Sequence, residues 1–164
     1  MTIQTGNSVP VGTLTEVGSD GPNAISTGEM FDDKKVVIFG LPGAFTPTCS
    51  EAHLPGYVDY FDQLKDLGVD TIACITVNDP FVVAAWAKAL HIENIIMLAD
   101  GNADYVTALG MNVDMSDRGF GVRSARFALV ADNGIVSFAA QEATAKDHDV
   151  SSAKAVHSFL ASKP

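Results

Sequence analysis

The stretch Val36-Val37-Ile38-Phe39-Gly40-Leu41-Pro42-Gly43-Ala44-Phe45-Thr46-Pro47-Thr48-Cys49 sets the reading of the whole chain. Its first part is a continuous apolar run, the pattern of a strand covered on both faces. A loop crowded by Pro42, Gly43 and Pro47 follows. Beyond Cys49, Leu54, Tyr57, Val58, Phe61, Leu64 and Leu67 recur at helical spacing up to Gly68, a stop signal. A thiol therefore stands where a buried strand hands over to a helix. The unpaired N–H groups and dipole of a helix start face an anion there, so Cys49 reads as a nucleophile as well as a small buried side chain. Two starts fit: Thr48-x-x-Glu51 as a capping box, or Thr46 as cap with Pro47 in the first helical position. Both put Cys49 in the first turn, and Pro55 is expected to bend the helix.

Working outward, apolar runs at 69–77, 95–98, 127–130 and 134–138 read as further strands, and 79–89, 103–109 and 152–160 as helices. Asp132-Asn133-Gly134 is a hairpin signal between the last two strands. Strands alternating with helices and closing on a hairpin predict an α/β fold, a central mixed β-sheet flanked by helices. The 164 residues are expected to form one domain spanning 1–164, with no internal repeat or linker.

Acidic residues number 20 against 10 Lys plus Arg, a formal charge of −10, which repels nucleic acid and anionic membranes. No apolar run reaches the roughly eighteen residues of a membrane span. The first residues lack the basic and apolar regions of an export signal, so a cytoplasmic address is expected. Two cysteines in that setting serve catalysis, metal binding or packing rather than a stapling disulfide.

A thiolate needs a lasting positive partner, and a planar guanidinium serves better than lysine. The arginines are Arg118, Arg123 and Arg126. Arg126 opens the strand at 127–130, whose end can reach the sheet edge that carries Cys49, and is the first choice. Arg123 reads as a surface or loop-pinning charge.

The run Pro42-Gly-Ala-Phe-Thr46-Pro-Thr-Cys49 contains the pattern P-x-x-x-[TS]-x-x-C. With His53-Leu-Pro-Gly56 after it, the segment resembles the peroxiredoxins of the type II, or type five, subgroup. The likeness continues through Thr76-Val-Asn-Asp79, Trp86, Leu98-Ala-Asp100 and Gly121-Val-Arg-Ser-Ala-Arg-Phe127. It implies a thioredoxin-like fold and a peroxidatic Cys49, with Pro42, Thr46 and Arg126 completing the active site and the Gly43 N–H helping to hold the peroxide. It further implies attack of the thiolate on a hydroperoxide, hydrogen peroxide or an alkyl hydroperoxide, to give sulfenic acid. No bound cofactor is implied: recycling falls to an external thiol, glutathione with glutaredoxin or thioredoxin. Relatives pair as homodimers through the face that carries the motif loops, where Phe45 and Phe120 are expected to flank the mouth of the site.

Ionisation alone does not make a peroxidase. Moving a thiol pKa from about 8.5 to about 6 raises the thiolate fraction at neutral pH only about thirty-fold. Donors that grip the two peroxide oxygens are needed as well, and Thr46 and Arg126 are the residues expected to supply them.

Cys74 lies inside an apolar run and reads as a core residue of a central strand; the alternative is a resolving thiol for Cys49. No cysteine follows it, which again points to an external thiol. His53 reads as a buried or locally bonded helix residue, since His91, His148 and His157 offer no complementary metal-ligand spacing. The run 142–149 reads as a solvated loop. A phosphatase would want arginine six positions after the cysteine, where Pro55 stands. A non-turnover redox sensor or holdase uses the same thiol and is the alternative to an enzyme.

Overall fold

The computed structural model describes residues 1–18 and 20–162. In chain order these contain β1 (Thr13–Gly18), β2 (Gly21–Ser26), α1 (Thr27–Phe31), β3 (Lys35–Leu41), a π-helical turn (Cys49–His53), α2 (Leu54–Asp59) and α3 (Phe61–Asp66). Then come β4 (Thr71–Thr76), α4 (Pro80–Ala89), β5 (Ile96–Ala99), α5 (Asp104–Ala108), β6 (Asn112–Asp114), β7 (Val122–Ser124), β8 (Phe127–Asp132), β9 (Ile135–Gln141) and α6 (Ala153–Ala161). Seven strands form one sheet in the order β2-β1-β5-β4-β3-β8-β9, and β6 with β7 makes a separate ribbon. The core pairs β3–β4 and β4–β5 are parallel while β8 and β9 run antiparallel, so the sheet is mixed, as expected. No described helix is long and apolar enough to cross a membrane.

The continuous apolar run of β3 is explained by cover on both faces. Val37, Phe39 and Leu41 pack into one layer with α2, α3, α4 and α6, and Val36 and Ile38 into the other with α1 and α5. The β8–β9 turn has Asn133 at φ 48° and Gly134 at φ 78°, the two left-handed residues of a tight hairpin. The β1–β2 hairpin was not anticipated. Its residues are mostly half-exposed and carry no clear alternation.

Register positions the site. Gly40 of β3 pairs with Phe127 of β8, so the chain leaving β3 into Pro42 and the chain entering β8 through Arg126 meet at one sheet edge. Glycine is required at position 40, because a Cβ there would run into the Phe127 ring.

The helix after Cys49 differs from the expectation in three ways. The helical backbone begins at Pro47, with the Thr46 carbonyl accepting from the Ser50 N–H at 3.0 Å, so the Thr46–Pro47 start is the one used. The Thr48–Glu51 capping box does not form: Thr48 is itself helical and makes no side-chain cap. The segment is also not one bent helix, because residues 49–53 widen to π geometry and Tyr60 separates α2 from α3. Pro55 follows closely on the π-helical turn, and the widened bonding there accommodates a helical residue that has no N–H to donate.

Candidate active site

Cys49 is fully buried at 0% exposure, and its Sγ accepts a hydrogen bond from Arg126 Nη2 at 3.3 Å. Arg126 is itself buried at 3% and is held on two further sides. Its Nε donates to the Ala145 carbonyl at 3.0 Å, and its Nη1 lies 3.0 Å from His53 Nδ1. A guanidinium only donates, so Nδ1 must accept. The other ring nitrogen, Nε2, stands 3.1 Å from the Ser151 carbonyl, which only accepts, so Nε2 carries the proton. The two neighbours thus fix His53 as one neutral tautomer. Burial first, then the positive charge of Arg126, and then His148, hold the His53 pKa well below the ordinary imidazole value.

The Ser151 carbonyl also accepts from Tyr57 Oη at 2.8 Å. That carbonyl is fixed by Glu142, whose Oε1 accepts from Asp149 N–H at 2.6 Å and from Ser151 N–H and Oγ, each at 2.9 Å. Burial by itself raises the Glu142 carboxyl. The donors of Ser151 and Asp149, with the positive potential of His148, more than offset this and bring it below the usual carboxylate range. The run 142–149 is therefore not a plain solvated loop. With residues 150 and 151 it folds back as a strap, in which the Ala145 carbonyl holds Arg126 and the Ser151 carbonyl holds His53.

The motif loop is tied down separately. Asn78 Oδ1 accepts from Ala44 N–H at 2.9 Å and from Thr76 Oγ1 at 2.6 Å. Arg123 pins the loop, its Nη1 donating to the Pro42 carbonyl at 3.3 Å and its Nε to the Phe120 carbonyl at 2.9 Å. Gly43 leaves room for that guanidinium, since a Cβ there would lie 2.6 Å from Arg123 Nη1. The Thr46 hydroxyl donates to the Gly43 carbonyl at 2.7 Å. Its one proton is thereby committed, so Thr46 is not the donor expected from the sequence; its lone pairs are free to accept from an incoming O–H.

A cavity of about 440 Å³ opens over this arrangement, lined in part by Pro42, Thr46, Phe120 and Arg126. Four of the expected site residues thus share one space, with Cys49 reached through Arg126. Phe45 does not line it. It is 58% exposed at φ 64°, a left-handed residue on the outer side of the motif loop. Cys74 is buried in mid-β4 opposite Phe39, in the apolar layer that also holds Cys49, and both thiols are free. Burial, and then the neighbouring Cys49, push the Cys74 pKa well up, which suits a core residue.

Sequence reasoning missed the part played by His53, Glu142, Asn78 and the carbonyls of Ala145 and Ser151. His53 stands four residues after Cys49, and that spacing was the one available signal. Its partners lie 73 and 98 residues away.

Comparison with known proteins agrees with this geometry. The model of the Redoxin family matches residues 4–157. Peroxiredoxin-2C of Oryza sativa subsp. japonica is 47% identical over 133 residues, covering 80% of this chain and 82% of that protein. The hybrid peroxiredoxin hyPrx5 of Haemophilus influenzae is 43% identical over 136 residues, covering 83% of this chain and 56% of that protein. Among solved structures, reduced Prx3 of Vibrio vulnificus in complex with H2O2 superimposes with a TM-score of 0.92 at 46% identity, covering 97% of this chain and 99% of that one. A thiol held by a buried guanidinium, on a thioredoxin-like sheet shared with these relatives, places the chain in the redoxin family, among the type II peroxiredoxins, as a thiol peroxidase.

Proposed function

We propose that the protein reduces hydrogen peroxide and alkyl hydroperoxides at Cys49 and is returned to the thiol by an external reductant. The observation that carries this reading is the 3.3 Å hydrogen bond to Cys49 Sγ from Arg126, which lines a cavity together with Pro42 and Thr46. In the first step the Cys49 thiolate attacks the terminal oxygen of the hydroperoxide. The S–O bond forms as the O–O bond breaks, the electron pair leaves on the second oxygen, and that oxygen takes a proton to become water or an alcohol. Thr46, its proton committed to the Gly43 carbonyl, accepts from the peroxide O–H. Arg126 donates to the oxygens as negative charge grows. Pro42, buried beside them, limits water, and the Gly43 N–H adds a further donor. The Vibrio vulnificus relative was crystallised with hydrogen peroxide, which supports the choice of substrate.

The reductive half uses an external thiol, glutathione with glutaredoxin or thioredoxin. Cys74 is a poor resolving group, because its raised pKa keeps it protonated in mid-strand. Phe45, Phe81 and Phe120, exposed on the motif-loop and nearby surfaces, make a homodimer through that face the proposed assembly. The test is turnover of hydrogen peroxide and an alkyl hydroperoxide with glutathione–glutaredoxin or thioredoxin, wild type beside Cys74→Ser. Undiminished turnover in the variant supports external resolution; oxidation without turnover under either reductant overturns the enzymatic reading in favour of a sensor.

A further inference from the structure

We infer that the mouth of the site selects hydroperoxides that carry a carboxylate on an apolar chain. The inference rests on the peroxidase reading and deepens it. The cavity lined by Pro42, Thr46 and Arg126 measures about 440 Å³. That lies within the roughly 300–1,000 Å³ of small-molecule sites, and far exceeds a peroxide of about two water volumes at ~30 Å³ each. Its walls are largely apolar, with Pro42, Met115 and Phe120 among them.

Charge is what sets this cavity apart. Its lining holds three cations, Arg118, Arg126 and Lys146, and no Asp or Glu, in a chain where acids outnumber Lys plus Arg by 20 to 10. Four other cavities of the described residues each include at least one acid. Arg126 is committed to Cys49, His53 and Ala145. Arg118 and Lys146 are exposed, and neither side chain has a partner among the described residues. Of the nearest acids in sequence, Asp114 accepts from Ser116 and Asp147 accepts from Thr144 N–H. Asp114, Asp117 and Glu142 line an adjoining cavity that Arg118 and Arg126 also line, so the acids stand on one side of the two arginines and the acid-free apolar cavity on the other. The overall negative field repels anions, so a locally cationic rim above apolar walls discriminates by shape and charge together.

The chemistry fits this polarity. The thiolate takes the terminal oxygen, so the carbon-bearing oxygen is the leaving group and its chain points away from Cys49 along the apolar wall. A carboxylate at the far end of that chain meets Arg118 and Lys146. The products are Cys49 sulfenic acid and the hydroxy acid, with one proton taken up by the departing alkoxide. Glutathione also carries carboxylates and would find the same cations in the reductive half, so the experiment isolates oxidation.

Reduced protein is mixed in stopped flow, without thiol, with a medium-chain hydroperoxy carboxylic acid, with its methyl ester and with hydrogen peroxide. The acid is expected to oxidise Cys49 about three- to tenfold faster than the ester, as two exposed charge contacts allow. That ratio should shrink as salt rises and fall to one or below in the double variant Arg118→Glu, Lys146→Glu. An ester as fast as the acid, a ratio that survives in the double variant, or a charge dependence confined to the glutathione step overturns the inference. Hydrogen peroxide separates the two claims: rapid oxidation by it with no acid preference sinks only the selectivity, whereas oxidation no faster than a free thiol sinks the peroxidase reading itself.

Discussion

Arg126 Nη1 and His53 Nδ1 lie 3.0 Å apart, and the donor-only guanidinium makes the imidazole the acceptor. The pair joins the strand edge to the first helical turn, so Nη2 remains aimed at Cys49 Sγ. Replacing His53 with Ala leaves Arg126 Nη1 without its partner, while the Ser151 carbonyl keeps the Tyr57 hydroxyl. A buried polar group so orphaned costs about 1–3 kcal/mol. We expect His53→Ala to slow Cys49 oxidation at least tenfold and to lower Tm, measured by stopped flow and by thermal melting. An unchanged oxidation rate would remove the positioning role.

Thr46→Val keeps the shape of the side chain and deletes the acceptor, whereas Thr46→Ser keeps it. Loss of one positioned group of this kind costs on the order of 10²–10³ in rate in other enzymes. The expected result is a loss of that size in Thr46→Val and near-recovery in Thr46→Ser; equal losses would mean that packing, and not the hydroxyl, is what Thr46 supplies.

Gly43→Ala places a Cβ 2.6 Å from Arg123 Nη1. The clashing atom is the end of a flexible side chain that can swing aside, so the stability cost should stay near about 1 kcal/mol, the middle of the range for single substitutions. The casualty is the Arg123–Pro42 hydrogen bond. Activity should fall more than Tm does, and Arg123→Ala should reproduce the fall. A large drop in Tm with normal activity would contradict this.

Glu142→Ala unfastens the strap, while Glu142→Gln keeps an oxygen where Asp149 and Ser151 donate. The Ala variant should lower the oxidation rate about tenfold at temperatures well below its Tm, one lost buried hydrogen bond to a charge being worth about 1.5–3 kcal/mol. The Gln variant should recover most of it. Destabilisation without a rate effect would make Glu142 merely structural.

Stability should decline in mild acid. His53 is neutral when folded, its pKa well below the ordinary value, so the unfolded chain binds more protons once pH drops under about 6.5. The contribution is complete above that pH and is lost on going below it, at about 1.4 kcal/mol per pH unit for His53. His148, shifted the same way, adds in the same direction. Urea midpoints between pH 8 and 5 test this, and His53→Asn should flatten the slope.

The β3 run and the motif loop were legible because their signals are local. Continuous apolar residues report cover on both faces, and Pro-Gly-x-x-Thr-Pro reports a constrained turn. Arg126 was legible because register brings the start of β8 to the end of β3. The strap was not. Its work is done by the carbonyls of Ala145 and Ser151, which any residue type carries, and Lys146-Asp147-His148-Asp149 has the composition of a solvated turn. The π-helical turn at 49–53 was equally invisible, since a shift from i+4 to i+5 bonding leaves no mark in residue spacing over one turn.

In the proposed mechanism Arg126 makes the buried Cys49 a peroxide-reducing thiol. Trp86, the single tryptophan, donates to Ser50 Oγ at 3.0 Å beside Cys49, so its fluorescence offers a signal for oxidation. The decisive measurement mixes reduced wild type and Arg126→Ala with stoichiometric hydrogen peroxide in stopped flow, with Cys49 sulfenic acid identified by mass spectrometry. Wild-type oxidation is expected to be orders of magnitude faster than that of a free cysteine, with a loss of about 10² or more in Arg126→Ala. Wild-type oxidation at the free-thiol rate, or an Arg126→Ala protein that keeps the wild-type rate, would contradict it.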